Sequence, residues 1–235
     1  MKKVFLLLAI ALPIVFNSCK DDKDEPIPDN HEYVDLGLPS GTLWATRNVG
    51  ADSPEEYGDY FAWGETTPKD SYQWNNYKWS GSGSSNWLDA LTKYWVDENG
   101  GILDGKRELE PEDDAATVNW GPRWCMPTLG QLQELLVECE WQWVEQKGVS
   151  GHLLTGPNGK NLFLPSAGGF STGPYNDGVC CYYWSRTLCS PDKLILEAAG
   201  SREAYILFAN SWRKEVWYDS RYVGLPVRAV RVSRK

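Results

Sequence analysis

The sequence predicts an α+β fold built on antiparallel sheet. Three observations lead there. One strongly capped amphipathic helix begins near Thr128, and the chain after it breaks into short hydrophobic runs separated by turn residues. Rings are also abundant, with 13 Trp and 12 Tyr among 235 residues, as suits short strands with half-buried faces. With 42% of residues hydrophobic and 23% charged, there is enough apolar material for one large core.

Each element follows from its own residues. Tyr33-Val-Asp-Leu36 reads as a strand, turned by Leu38-Pro-Ser-Gly41 into a second, Thr42-Leu-Trp-Ala45. Asp59–Trp63 is a third. Residues 64–105 form a long irregular stretch with Gly81-Ser-Gly-Ser-Ser85 as its tip, and loops of that length carry function or move. Pro111–Val118 is predicted as a short helix with acidic residues 112–114 in its first turn, where the helix dipole favours negative charge. Thr128-Leu-Gly-Gln131 is a capping box, and Pro127 keeps the helix from extending backward. Leu132, Leu135, Leu136 and Cys139 then give a stripe at three- and four-residue spacing. From Trp141 onward the pattern is β: 141–144, 152–155, 161–164, 182–184, 205–208, 216–218 and 226–231. Gly156-Pro-Asn-Gly159 marks a hairpin between two of these runs.

Ahead of this domain lies an export address. Lys2-Lys3 precedes an apolar run from Val4 to Phe16, too short to span a bilayer but suited to a secretory signal. Ser18-Cys19 ends it in the manner of a bacterial lipobox, so 1–18 is expected to be a lipoprotein signal peptide and Cys19 the lipidated residue. Residues 19–32 are acidic, contain Pro and show no apolar period, as a disordered tether does. Lys20 followed by acidic residues resembles the signal that sends such lipoproteins to the outer face of the outer membrane. The expected organisation is therefore a lipid anchor in the outer membrane, a tether and a head spanning 33–235.

The formal net charge of −9, with no Lys/Arg-rich block, excludes nucleic acid as a partner. Two histidines exclude a His-rich metal centre. Within the head, Cys125, Cys139, Cys180, Cys181 and Cys189 are odd in number, so at least one thiol stays free within one chain. Adjacent Cys180 and Cys181 would form a strained ring if joined. Either can pair with Cys189, or neither does.

Several blocks in order carry a family resemblance: Tyr33–Ala45, Tyr57-Gly-Asp-Tyr-Phe-Ala-Trp-Gly-Glu-Thr66, Leu109–Ala116, Val118-Asn-Trp-Gly121, Trp124-Cys-Met-Pro-Thr128 and Val227-Arg-Ala-Val-Arg231. Together they resemble the FISUMP ("major paralogous") domain of Bacteroides-type surface lipoproteins. That resemblance implies a C-type-lectin-like fold in the version shared with formylglycine-generating enzymes: twisted antiparallel sheets, two short helices and much irregular loop. It does not imply their activity, because those enzymes use a Cys pair near the C-terminal strands and no Cys follows Cys189.

Two stretches are candidate sites. Tyr72, Trp74, Tyr77, Trp79 and Trp87 combine ring faces with Asn, Gln and Lys, which suits a sugar or peptide surface or equally a cover for the sheet. Trp74 and Trp79 are the two expected to be partly exposed. Asp104, Glu108, Glu110, Glu112, Asp113 and Asp114 offer hard oxygen ligands, so Ca²⁺ is a weak candidate cofactor centred on Glu110, Glu112, Asp113 and Asp114. No calcium motif is present, and a solvated helix start explains the same charges. His152 sits in an apolar strand and suits a core or edge position better than a general base. Arg228 and Arg231 alternate with Val and are expected to pair with carboxylates. The function expected is a non-enzymatic, surface-displayed lectin-like head that recognises a glycan or a host or matrix protein. The alternatives are an assembly subunit of a surface complex and a carboxylate-dependent glycoside hydrolase.

Overall fold

The structure is a computed structural model that describes residues 30–81, 91–96, 104–189 and 202–231. In chain order the early elements are β1 (Tyr33–Asp35), β2 (Leu43–Ala45), β3 (Tyr60–Phe61) and a 3-10 turn at Trp74–Asn76. A second 3-10 turn (Pro111–Asp113) leads into α1 (Ala115–Trp120), β4 (Trp124–Cys125) and α2 (Leu129–Glu138). Next come β5 (Glu140–Gln146), β6 (Val149–Thr155), β7 (Asn161–Pro165), β8 (Gly169–Phe170) and β9 (Pro174–Tyr175). The chain closes with β10 (Cys181–Leu188), β11 (Glu203–Ala209), β12 (Lys214–Ser220), β13 (Leu225–Pro226) and β14 (Val230–Arg231). The fold is mixed α+β, and the strand pairs are antiparallel.

The first and last strands share a sheet, with β2 between them. One sheet runs β1-β2-β14-β4, with Val230 opposite both Trp44 and Cys125. A meander β5-β6-β7 and a second meander β10-β11-β12 supply the longer strands. α2 starts as its residues require: Thr128 Oγ1 accepts the Gln131 N–H, and Gln131 Oε1 accepts the Thr128 N–H at 2.9 Å. Its apolar stripe of Leu132 and Leu135, followed by Cys139 as the C-terminal cap, meets Cys181, Tyr183, Leu207 and Ala209 from one face of the β10–β12 sheet. A second cluster gathers Trp63, Trp120, Trp124 and Trp184 with Ala204, Ile206 and Leu225. Each large ring buried in this way removes roughly 150–250 Å² from water and is a main source of stability.

Two elements differ from expectation. The predicted helix 111–118 is two pieces, because Asp114 leaves helical geometry and caps α1, its side chain accepting the Thr117 N–H at 2.9 Å. The predicted strand 226–231 is broken into β13 and β14 around Arg228, which is buried at 1% exposure. None of the five head thiols is joined in a disulfide: Cys125 is half-buried, and Cys139, Cys180, Cys181 and Cys189 are buried. Burial pushes the thiols of Cys125, Cys139 and Cys189 up to about 11, so they serve as small apolar groups rather than nucleophiles.

Candidate functional site

The ring-rich stretch expected to form a binding surface turns largely inward. Tyr72 and Tyr77 are buried and form a third core cluster with Ala62, Leu91 and Trp95. Their hydroxyls point to backbone: Tyr72 donates to Tyr60 O at 2.5 Å, and Tyr77 donates to Trp63 O at 2.7 Å. The expectation of ligand contact is corrected for these two, because the phenol heads complete buried hydrogen bonds. Trp74 and Trp79 are half-buried against the same cluster, and Trp79 Nε1 donates to Gly64 O at 3.0 Å. Trp87 lies outside the described residues, as does Cys19.

The acidic stretch is neutralised in part from within the fold. Asp113 is 2% exposed and receives Lys93 at 2.6 Å, Lys78 at 2.9 Å and the Tyr94 hydroxyl at 2.7 Å. Burial pulls its carboxyl upward, but the Lys93, Lys78 and Tyr94 bonds outweigh that and hold it below the usual range. Lys106 and Lys93 likewise hold Glu110 down. Asp114, also buried, accepts from the N–H groups of Thr117 and Met126. Three of the four oxygen donors proposed for Ca²⁺ are thus engaged by lysines or backbone amides, while Glu112 stays exposed. Among the described residues no group of three or more His, Cys, Asp or Glu is placed to hold a metal ion.

Arg228, expected to pair with a carboxylate, is instead buried among amide and carbonyl oxygens. Arg228 gives its Nε–H to Asn48 Oδ1 at 2.8 Å and its Nη1 to the carbonyls of Phe163, Ala45 and Thr46. The rigid fork lets Nε and Nη1 serve several strand ends at once, while Nη2 is buried with no hydrogen-bond partner among the described residues. Arg231 lies over the Tyr33 ring at 4.7 Å. Arg221, unremarked by sequence, is buried at 0% exposure and donates to Tyr77 Oη, Tyr94 O and Lys93 O. His152 is buried between Trp141 and Trp143, with Nε2 3.0 Å from Asn210 O. Burial lowers its pKa, so it is neutral and structural.

A concave feature among the described residues lies elsewhere, on the β10–β12 sheet. It is a cleft of about 340 Å³ lined by Tyr182, Phe208, Arg213, Glu215, Trp217 and Asp219, with Ile206 and Tyr218. Strand register explains the arrangement. Tyr182, Phe208 and Glu215 align across the three strands, Ile206 faces Trp217 one row on, and small Ala204 faces Asp219 at the next. This face is the reverse of the one that α2 covers. Trp217 is 39% exposed and stacks on Tyr218 at 4.9 Å. Arg213 lies 5.8 Å from the Phe208 ring centre and 5.5 Å from that of Trp217, and reaches Glu215 at 2.5 Å. Asp219 accepts the Ser220 N–H at 2.7 Å, and burial pushes its carboxyl up to about 6. The adjacent Glu203 is pushed to about 7 by burial and by Asp219, with Arg202 opposing. At the hairpin tip beyond the cleft, Asn210 Oδ1 accepts the N–H groups of Trp212 and Arg213 and presents Trp212 at 78% exposure.

The only sequence signal for this cleft was Glu215, Trp217 and Asp219 at alternate positions of one strand, with charge where a core-facing strand carries aliphatic residues. Among known proteins, no family model, no curated protein and no solved structure matches the chain. Among the described residues no helix is long and apolar enough to cross a membrane.

Proposed function

We propose that the chain is a lipid-anchored, outward-displayed recognition head with a C-type-lectin-like arrangement, and that the β10–β12 cleft binds a glycan without transforming it. The observation that carries this is Trp217: an exposed indole on the wall of a concave site, flanked by Arg213, Glu215 and Asp219. Ring faces pack on the C–H faces of sugars while charged side chains take the hydroxyls. The cleft is at the small end of ligand pockets, which favours a sugar or two over a flat protein interface of some 800 Å² per partner. First and last strands in one sheet and two helices among the described residues support the lectin-like arrangement. The export address and Cys19 support the anchor.

Against hydrolysis, Glu215 and Asp219 are four residues apart on one strand, about 13 Å between Cα atoms. Glycosidase carboxyls converge to about 5–10 Å, and Glu215 is already held by Arg213. A role as an assembly subunit is favoured by one feature, the exposed Trp212 on its braced tip.

The test is calorimetric titration of a glycan panel into the parent protein and the W217A, W74A, W79A and W212A variants. W217A is expected to weaken binding at least about tenfold, the scale of one lost stacking contact. Loss in W74A or W79A with W217A silent would move the site to the ring-rich stretch. Membrane capture of a stable protein partner that W212A alone releases would favour assembly.

A further inference from the structure

The chemistry of the cleft also selects the charge of its ligand. At one end the protein's own guanidinium shows what the walls accept, because Arg213 rests over two rings, Phe208 and Trp217, and on the Glu215 carboxylate. Ring faces and a carboxylate together solvate a cation in place of water. At the other end the same materials recur without a cation. Asp219 lines the cleft on the far side of Trp217, and among the described residues its carboxylate makes no ion pair. Its hydrogen bond comes from the Ser220 N–H alone. Its cross-strand neighbour is the small Ala204, and the titratable side chains near enough to respond to its charge, Glu203, Tyr175 and Tyr182, bring no positive charge to it. A negatively charged ligand would set its charge against Asp219, while the one cation lining the site is already neutralised by Glu215. A buried carboxylate with a free face gains most from a positive partner.

On the footing of the recognition function above, we propose that the cleft takes a glycan bearing a free primary ammonium, an amino sugar without its acyl group. The ammonium sits on Asp219, and the sugar face lies on Trp217. Arg213 and Glu215 form a positioning pair that fixes the other end of the cleft.

Three tetrasaccharides of equal length test this by calorimetry on the full protein near neutral pH: glucosamine oligomer, the same oligomer fully N-acetylated, and a uronic acid oligomer. The free amine is expected to bind at least about tenfold tighter than the acetylated form, the scale of one partly buried charge pair. D219N, which keeps the shape and the Ser220 bond, should bring that ratio close to one. R213A, which removes part of the cleft wall, should weaken the amine and acetylated oligomers alike and leave their ratio unchanged. Equal binding of amine and acetylated oligomers would overturn the ammonium and leave glycan recognition standing. Uronic acid binding that R213A abolishes would reverse the sign of the ligand. Binding of none of the three, together with a W217A variant silent on every glycan, would remove the cleft itself.

Discussion

Lys93 Nζ lies 2.6 Å from Asp113 Oδ2, joining a residue of the ring-rich segment to the turn that opens α1. Lys78 and Tyr94 from the same segment meet the same carboxylate. Asp113 is thus the buried counter-charge that holds Lys78, Lys93 and Tyr94 onto the body of the fold. Removing one side of a buried pair leaves the other uncompensated. D113A is expected to cost about 3 kcal/mol, because two lysines and a phenol lose their acceptor together. K93M should cost about half as much, since Lys78 and Tyr94 still satisfy Asp113. Urea unfolding of the two variants checks the order. A K93M variant weaker than D113A would show that Glu110, not Asp113, is the main partner of Lys93.

The raised carboxyls give the fold a pH signature. Asp219 and Glu203 stand near 6 and 7, above their ordinary 3.8 and 4.5, with burial the first cause for both. An acid that binds its proton more tightly folded than unfolded stabilises fully below its unfolded value, and that stability is lost as pH rises through its folded value. The window therefore runs from about pH 4 to about pH 7. His152, held neutral by burial, acts in the opposite sense below its ordinary 6.5, and Asp113 does so below 3.8. Both cancel in a comparison of variants. An E203Q/D219N variant should match the parent protein in melting temperature near pH 4 and exceed it increasingly up to pH 7. Asp219 accounts for about 2–3 kcal/mol, with less from Glu203 because solvent screens its more open site. That is several degrees in a chain of this size. Parallel melting curves across the window would show that neither carboxyl is displaced.

Arg228 makes a third case, a buried cation held by carbonyl oxygens. Its Nε and Nη1 reach Asn48, Ala45, Thr46 and Phe163, linking the β2 end, the β7 strand and the break before β14. R228K keeps the charge but replaces a fork with a single ammonium on a shorter reach. The substitution is expected to cost about 3 kcal/mol, several carbonyl bonds at roughly 1 kcal/mol each. R228M removes the desolvated charge but strands the same acceptors, so it should fall between parent and R228K. Chemical denaturation of both ranks them, and an R228K as stable as the parent would show that charge alone is what the carbonyls require.

How far these features were legible depended on how local their cause was. The α2 cap could be read because Thr128 and Gln131 bond each other across three residues. The turn at 156–159 could be read because Gly159 has a positive φ of 79° and returns its N–H to Gly156 O. Asp113 and Asp114 could not. As sequence they are two acids at a helix start, and only the lysines 20 and 35 residues earlier make Asp113 a buried ion. Tyr72 and Tyr77 failed for the same reason, since their inward turn depends on Trp63, Arg221 and Phe170 from distant segments. The cleft was the least legible. Its lining comes from three strands, and only the β10–β11–β12 register brings Tyr182, Phe208 and Glu215 into one row.

Tyr77 tests whether the ring-rich segment is core or ligand surface. Its hydroxyl donates to Trp63 O at 2.7 Å and accepts from Arg221 Nε at 2.9 Å, both buried. Arg221 in turn lies 4.8 Å from the Trp63 ring centre and donates to the carbonyls of Lys93 and Tyr94. One phenol oxygen therefore ties the segment to a guanidinium with no access to water. Y77F keeps the ring and its packing but leaves the Nε–H and the Trp63 carbonyl each without that bond. The expected cost is about 2–3 kcal/mol, since an unmet donor to a charged group costs more than a neutral bond gains. Hydrogen exchange should rise first at the amides of Lys78, Tyr94 and Trp95, which bond within the segment through Glu65 and Asp104. Glycan affinity should be unchanged, because the β10–β12 cleft shares no side chain with this network. A Y77F variant of parental stability that loses glycan binding would place the ligand on the ring-rich segment after all.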